Sequence, residues 1–286
     1  MKLTLLGTGT PIPDPARRGP SQVIEVGGEL VLIDAGSGVL HRLLEAGYAP
    51  AGTGRLNRPI RQIGITHLHS DHITGLADLL WAGWIMRWWD QPPPIAGPPG
   101  TADFIRRLMD AFAYDIDVRQ RGERLRTEWL VPRVVEIDEG WTTEGDGWRL
   151  TGFRVDHAPV DEAFGFRLDD GSHAAVISGD TRPSDNLIRH AQRTDLLVHE
   201  VYWHRGAAAL LATITDPDQR ARRATIDGYH THSKEIGAIA AAAETQHLIL
   251  SHILFRGGSP SDLIADIEPS YGGRLTVGAD LQTFAI

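Results

Sequence analysis

The chain has 286 residues, 42% hydrophobic and 23% charged, with no cysteine and a formal net charge of −9. Without cysteine neither a disulfide framework nor a thiolate metal site can form, so any bound metal must use His, Asp or Glu. The acidic balance works against a surface built to neutralise a phosphate backbone. There is no apolar run of about 18 residues to span a bilayer, and MKLTLLGTGTP reads as a strand and loop and not as a secretory leader, so a soluble cytoplasmic protein is expected.

Residues 3–6 read as a first strand, followed by a Gly/Pro/Arg loop over 7–20. Two strands, 22–26 and 29–34, are joined at Gly27-Gly28, a strong hairpin signal. Val39, Leu40, Leu43 and Leu44 recur at helical spacing and predict a helix over 38–46, with a loop over 47–59. An apolar strand over 60–65 then runs into THLHSDHITGL, which places His67, His69, Asp71 and His72 within six residues. Neutral imidazoles beside a carboxylate suit a borderline divalent ion: zinc, or manganese, iron or cobalt.

A helix is expected over 73–89, with Trp81, Trp84 and Trp88 on one face, for core packing or a dimer surface. Trp88 is also a candidate wall for an aryl-binding pocket. Prolines 92–94 end that helix, and Gly97-Pro98-Pro99-Gly100-Thr101 is a turn opening another, capped by Thr101. Residues 130–177 are strand-rich, and strands and helices alternate again from 181 onward. Three further metal-ligand types stand where strands give way to loops: His157 after the strand from Trp148, Asp180 after 174–177, and His252 after 248–250.

THLHSDH resembles the metal-binding signature of the metallo-β-lactamase fold, and the resemblance runs from LLGTGTP at Leu5 to SHI at Ser251. LVHE, ending at Glu200, and YHTHS, from Tyr229, resemble segments of its ribonuclease Z, arylsulfatase and phosphodiesterase branch. The resemblance implies an α/β fold, a four-layer αββα sandwich, as one domain over 1–286. It implies two divalent metal ions: His67, His69 and His157 on the first, Asp71, His72 and His252 on the second, and Asp180 and a hydroxide bridging them. Asp34 is expected to hold a ligand His and not to ligate. Asp71 would also orient the attack. Glu200 would orient and charge His230, which stabilises an oxyanion or protonates the leaving oxygen. His232 stands at the motif's Thr position, and the 22-residue spacing to His252 selects His230.

Metal-assisted hydrolysis is the reaction class, since no nucleophilic Cys and no GxSxG elbow occurs. Members of the resembling family that trim tRNA carry a protruding arm, whereas only 23 positions separate His157 from Asp180. With the charge of −9, that spacing leads to a small-molecule ester as substrate, phosphodiesters first and aryl sulfates second, and weighs against a nucleic-acid partner without excluding one. Tyr202, Trp203, Phe255, Arg256 and Trp88 are the expected pocket residues. Residues 205–224 form either a lid or a solvated helix face. The alternatives are a ribonuclease Z-like tRNA 3′-processing endonuclease, a lactonase and a non-catalytic metal-binding module. A homodimer is the expected assembly, with the Trp-bearing helix as a candidate interface.

Overall fold

Leu30 and Leu32 pack into one apolar cluster while their neighbours Val31 and Ile33 pack into another; Leu197 and Val198 divide in the same manner. This period-two alternation is that of strands buried on both faces. The computed structural model describes residues 1–50 and 54–286; positions 51–53 of the expected 47–59 loop lie outside the described residues. Its strands are β1 (Lys2–Gly7), β2 (Ser21–Val26), β3 (Glu29–Ile33), β4 (Ile60–Gly64), β5 (Ile95–Gly97), β6 (Val134–Glu136) and β7 (Thr142–Gly145). They continue with β8 (Trp148–His157), β9 (Val160–Asp169), β10 (Ala174–Ile177), β11 (Leu196–Tyr202), β12 (His247–Leu254), β13 (Arg274–Val277) and β14 (Thr283–Ala285).

Among the described residues these strands form two seven-stranded sheets, ordered β14-β1-β2-β3-β4-β5-β6 and β13-β12-β11-β10-β9-β8-β7. Leu3, Ile24 and Ile33 of the first meet Leu150, Phe166 and Val198 of the second in a shared core. A second core joins the first sheet to the helices Val39–Glu45 and Leu76–Met86, and a third joins the second sheet to Ser233–Ala242 and Pro260–Ile267. Three stacked cores make four layers, αββα, as expected. Each fully buried Leu, Ile or Phe contributes roughly 1.5–3 kcal/mol, so these three clusters dominate stability. The two halves are not independent repeats, because the last strand, β14, returns to pair with β1.

Several boundaries differ from expectation. The helix expected over 73–89 is two helices, Ser70–Ile73 and Leu76–Met86. Gly75 breaks it: its N–H bonds Ala35 O at 2.8 Å, and a Cβ there would stand 2.2 Å from Gly36 O. Only a glycine lets the metal-ligand loop lie this close to the β3 exit. Trp81 and Trp84 are buried, with their indole N–H groups donating to Asp115 and to the Arg126 carbonyl, so that face is committed to the core and not to a partner. Thr101 is not the cap of its helix. Gly100 holds the cap position, and the Glu136 carboxylate accepts the N–H groups of Gly100 and Ala102. Residues 205–224 fall in two helices, His204–Thr213 and Pro217–Asp227, the second capped by Asp216. No described helix is long and apolar enough to cross a membrane.

Candidate functional site

The loop leaving β4 is fixed before it delivers any ligand. Asp34, in a left-handed conformation at φ 59°, accepts the Thr66 N–H at 2.8 Å and the Thr66 hydroxyl at 2.9 Å. Its Oδ2 also lies 2.8 Å from His72 Nδ1, so it holds His72 with Nε2 turned toward the cluster. Gly179, at φ 62°, permits the approach from the second sheet: a Cβ there would be 2.6 Å from Phe164 O and 3.0 Å from Thr66 Cβ. Asp180, the next residue, is thereby placed under the loop.

Two groups of donor atoms converge. His67 Nε2 lies 2.9 Å from His69 Nδ1, and His157 Nε2 lies 3.3 Å from the same atom. Asp180 Oδ2 stands 3.9 Å from both His67 Nε2 and His157 Nε2. In the second group, Asp71 Oδ2 is 3.2 Å from His252 Nε2 and 3.6 Å from His72 Nε2. Asp180 reaches this group too, with Oδ1 3.4 Å from His72 Nε2 and Oδ2 3.5 Å from His252 Nε2. Ligand atoms about 2.0–2.1 Å from one tetrahedral ion are separated by about 3.3 Å, so both groups have the size of a cation cage. His72 Nε2 and Asp180 Oδ1 are buried without a hydrogen-bond partner, which a shared cation would supply. All seven side chains expected as ligands are brought together, with Asp180 between the two groups.

The electrostatics suit the same occupant. Burial, and then the charge on His72, drives His67 well below its ordinary value; burial takes His157 down to about 4 and lowers His69. These imidazoles therefore present lone pairs. Burial opposes charge on Asp180 and Asp71, but the surrounding histidines hold both carboxyls below the usual range. Beside this cluster His230 Nδ1 donates to Glu200 Oε1 at 2.8 Å, and the same oxygen accepts the Thr181 N–H at 2.9 Å. Burial works against an imidazolium there, yet the charge and hydrogen bond of Glu200, with Asp180 beyond it, push His230 up to about 9. Burial raises Glu200 itself, while His230 pulls it down. Glu200 and His252 do not close their strands. β11 and β12 run on past them, with a register shift at Glu200 and φ 45° at His252 turning both side chains toward the cluster.

A cleft of ≈ 310 Å³ opens over the cluster, bounded by Thr10, Pro11, Ile12, Arg223, Tyr229, Leu254 and Arg256. Of the five expected pocket side chains only Arg256 lines it. Trp88 is buried in the first helix–sheet core, because the helix stops at Arg87, in a left-handed conformation at φ 60°. Trp88 lines a separate cleft with Pro59, Ile60 and Pro94, at the opposite end of β4. Tyr202 faces the His232 ring at 6.0 Å, Trp203 packs on Gly206 and Gly258, and Phe255 stacks under the Arg17 guanidinium at 5.1 Å. The continuation of β11 carries the first two of these past the cluster. His232 pairs with Glu235 at 3.2 Å and stays out of the donor groups. Tyr229 and Arg223 were not foreseen as pocket residues. The first adjoins His230 in the YHTHS segment, and the second shares its helix with Arg220 and Arg222, so spacing alone does not single it out.

Residues 29–253 match the family model described as a β-lactamase superfamily domain. Ribonuclease Z of Mycobacterium bovis (strain BCG / Pasteur 1173P2) is 34% identical over 291 residues, covering 99% of this chain and 97% of that protein. Human tRNase Z, short form, superposes with a TM-score of 0.68 at 24% identity, over 100% of this chain and 99% of that one. The metallo-β-lactamase fold protein YhfI of Bacillus subtilis superposes at 0.71 and 21% identity, over 99% and 98%. The curated relative overturns the expectation against a nucleic-acid partner, since its name makes RNA its substrate. It matches along almost its whole length, so it has no arm of tens of residues that this chain lacks. The net charge does not describe the cleft, where Arg223 and Arg256 stand across from Asp71 and Asp180. The chain belongs to the metallo-β-lactamase superfamily, as a metal-dependent hydrolase homologous to proteins named Ribonuclease Z.

Proposed function

We propose that the protein is a ribonuclease Z-like phosphodiesterase that cleaves RNA at the 3′ side of tRNA precursors, with zinc as its metal. The observation that carries this is the His230–Glu200 pair standing beside Asp180 at the floor of an arginine-bearing cleft. The donor set of imidazoles and carboxylates suits zinc. His67, His69 and His157 would hold one ion and Asp71, His72 and His252 the other, with Asp180 shared. Bound there, the pair would lower the pKa of a shared water and neutralise charge on the attacked phosphorus.

The chain's own residues supply the rest. Asp71, nine-tenths buried and held ionised by His252 and His72, accepts a proton from the attacking oxygen and so orients it. His230, charged by Glu200, gives its proton to the leaving ribose oxygen, which would otherwise depart as an alkoxide. The Arg256 guanidinium is almost wholly buried, held by Asp227 at 2.7 Å, with Nε and Nη1 unpartnered. Arg223, which lines the same cleft and is more exposed, is the guanidinium placed to meet a neighbouring phosphate. Ile12, 60% exposed at the rim, offers an apolar surface to a base.

A small phosphodiester is the second reading, favoured by a cleft of ≈ 310 Å³, the size of a small-ligand site. The metal-loaded protein should be given a 3′-extended tRNA precursor and bis(nitrophenyl) phosphate in parallel, over a salt series. Cleavage of the precursor at one position, weakening steeply with salt, is the expected result. Turnover of the nitrophenyl diester with an intact precursor would overturn the RNA reading and leave the small-ester one.

A further inference from the structure

Three of the metal-facing imidazoles have their second nitrogen held by the protein. His67 Nδ1 meets the Thr66 hydroxyl at 3.1 Å, His72 Nδ1 meets Asp34 at 2.8 Å, and His157 Nδ1 meets the Tyr229 carbonyl at 3.0 Å. His252 differs. Its Nδ1 is buried and has no hydrogen-bond partner, although its backbone, at φ 45°, sits in a region that side-chain-bearing residues rarely adopt. A ligand histidine ordinarily donates this second N–H, which fixes its tautomer and its angle toward the metal.

Beside His252 lies a small cavity of ≈ 20 Å³. Gln22 and Ser251 line it, and Gln22 Oε1 and Ser251 Oγ are also buried without a partner; so is Glu200 Oε2. Gln22 alternates with Val23 and lies on the face of β2 that carries Ile24, the inter-sheet face; Ser251 lies on that of Ile249. At both positions the pattern asks for an apolar residue, and an unpaired amide there costs roughly 1–3 kcal/mol. The cavity has room for one water, and a buried water needs about three polar partners.

We propose that Gln22 and Ser251 hold a buried water that accepts the Nδ1–H of His252 and donates to Gln22 Oε1, with Ser251 Oγ as its third partner. Gln22 and Ser251 are thus positioning residues for the second metal half-site, acting on His252 through the water. The claim concerns the metal centre and holds for either substrate reading. It accounts for two polar side chains in an apolar core and for the ligand imidazole whose second nitrogen is buried without a protein partner.

The test uses full-length protein with zinc as the probe. In Gln22→Leu and in Ser251→Ala, chelator competition should show the second zinc equivalent bound about 10–100-fold more weakly and the first unchanged. Ser251→Thr, which keeps the hydroxyl, should restore the second equivalent. Nitrogen-15 NMR of zinc-loaded wild type should show a slowly exchanging His252 Nδ1–H that exchanges quickly in Ser251→Ala. The water bridge is overturned if both zinc equivalents keep wild-type affinity in the two variants. It is equally overturned if both weaken together, as a merely structural role would require. Should Gln22→Leu fail to fold, Ser251→Ala against Ser251→Thr decides.

Discussion

The two sides of the site are assembled in different ways. His67, His69, Asp71 and His72 leave one loop after β4, whereas His157, Asp180 and His252 come from three separate strands of the second sheet. The loop is shaped by local contacts: Asp34 on Thr66 and His72, and Gly75 against Ala35. The dispersed side depends on register, and its geometry exists only if β8, β9, β10, β11 and β12 lie side by side. The loop can therefore lose a ligand and keep a partial site, while the dispersed side holds the residue on which both half-sites depend.

That contrast predicts its own largest effect. Asp180 faces both donor groups, so Asp180→Ala should strip both metals and lower hydrolysis by more than about 10⁴-fold. Metal content and turnover measured on the same sample check this; two retained equivalents would break the picture of a shared carboxylate. His230→Ala tests the chemistry apart from the metals. It should keep both equivalents and lower kcat by roughly 10²–10⁴-fold. An unchanged kcat would remove the proton-donor role.

Stability sharpens the comparison without activity. His199, on β11, is buried outside the donor groups, and burial takes it down to about 4 from the ordinary 6.5. The unfolded chain therefore binds the extra proton between those values. The stability linked to a neutral His199 is present above pH 6.5 and is lost as the pH falls toward 4, by about 2–3 kcal/mol at pH 4.5. Urea unfolding at pH 7 and 4.5 should show that loss, with a shallower pH slope in His199→Gln. The smallest effect concerns the cleft rim. Arg223→Ala should raise KM for RNA about tenfold with kcat nearly kept, and should reduce the salt slope by about one charge. A fall in kcat at constant KM would instead place Arg223 in the chemical step.

The reading of the chain as a whole follows this division. HxHxDH was legible because its ligands lie within one turn of loop chemistry, and the strands were legible as short apolar runs because burial on both faces leaves few polar positions. Trp88 shows where such reading fails. Helical spacing put it on a face with Trp81 and Trp84, but the left-handed Arg87 ends the helix one residue earlier and sends it to the far end of β4. Tyr202, Trp203 and Phe255 were chosen for nearness in sequence to site segments, and strand continuation carried the first two away. Net charge does not describe the cleft, because a sum over 286 residues says nothing about where Arg223 and Arg256 stand relative to Asp71 and Asp180.

By itself the sequence determined which side chains have the chemistry to hold cations, an α/β alternation through apolar periodicity, with the αββα layering given only by the family resemblance, and the one loop where ligands are local neighbours. The tertiary structure put Asp180 between the two donor groups, brought Glu200 to His230, and set Gln22 and Ser251 on the wall of the cavity beside His252. Those pairings join residues separated by up to 230 positions, and they are set by strand register, bulges and backbone close approach, which leave no periodic mark on the residues they bring together.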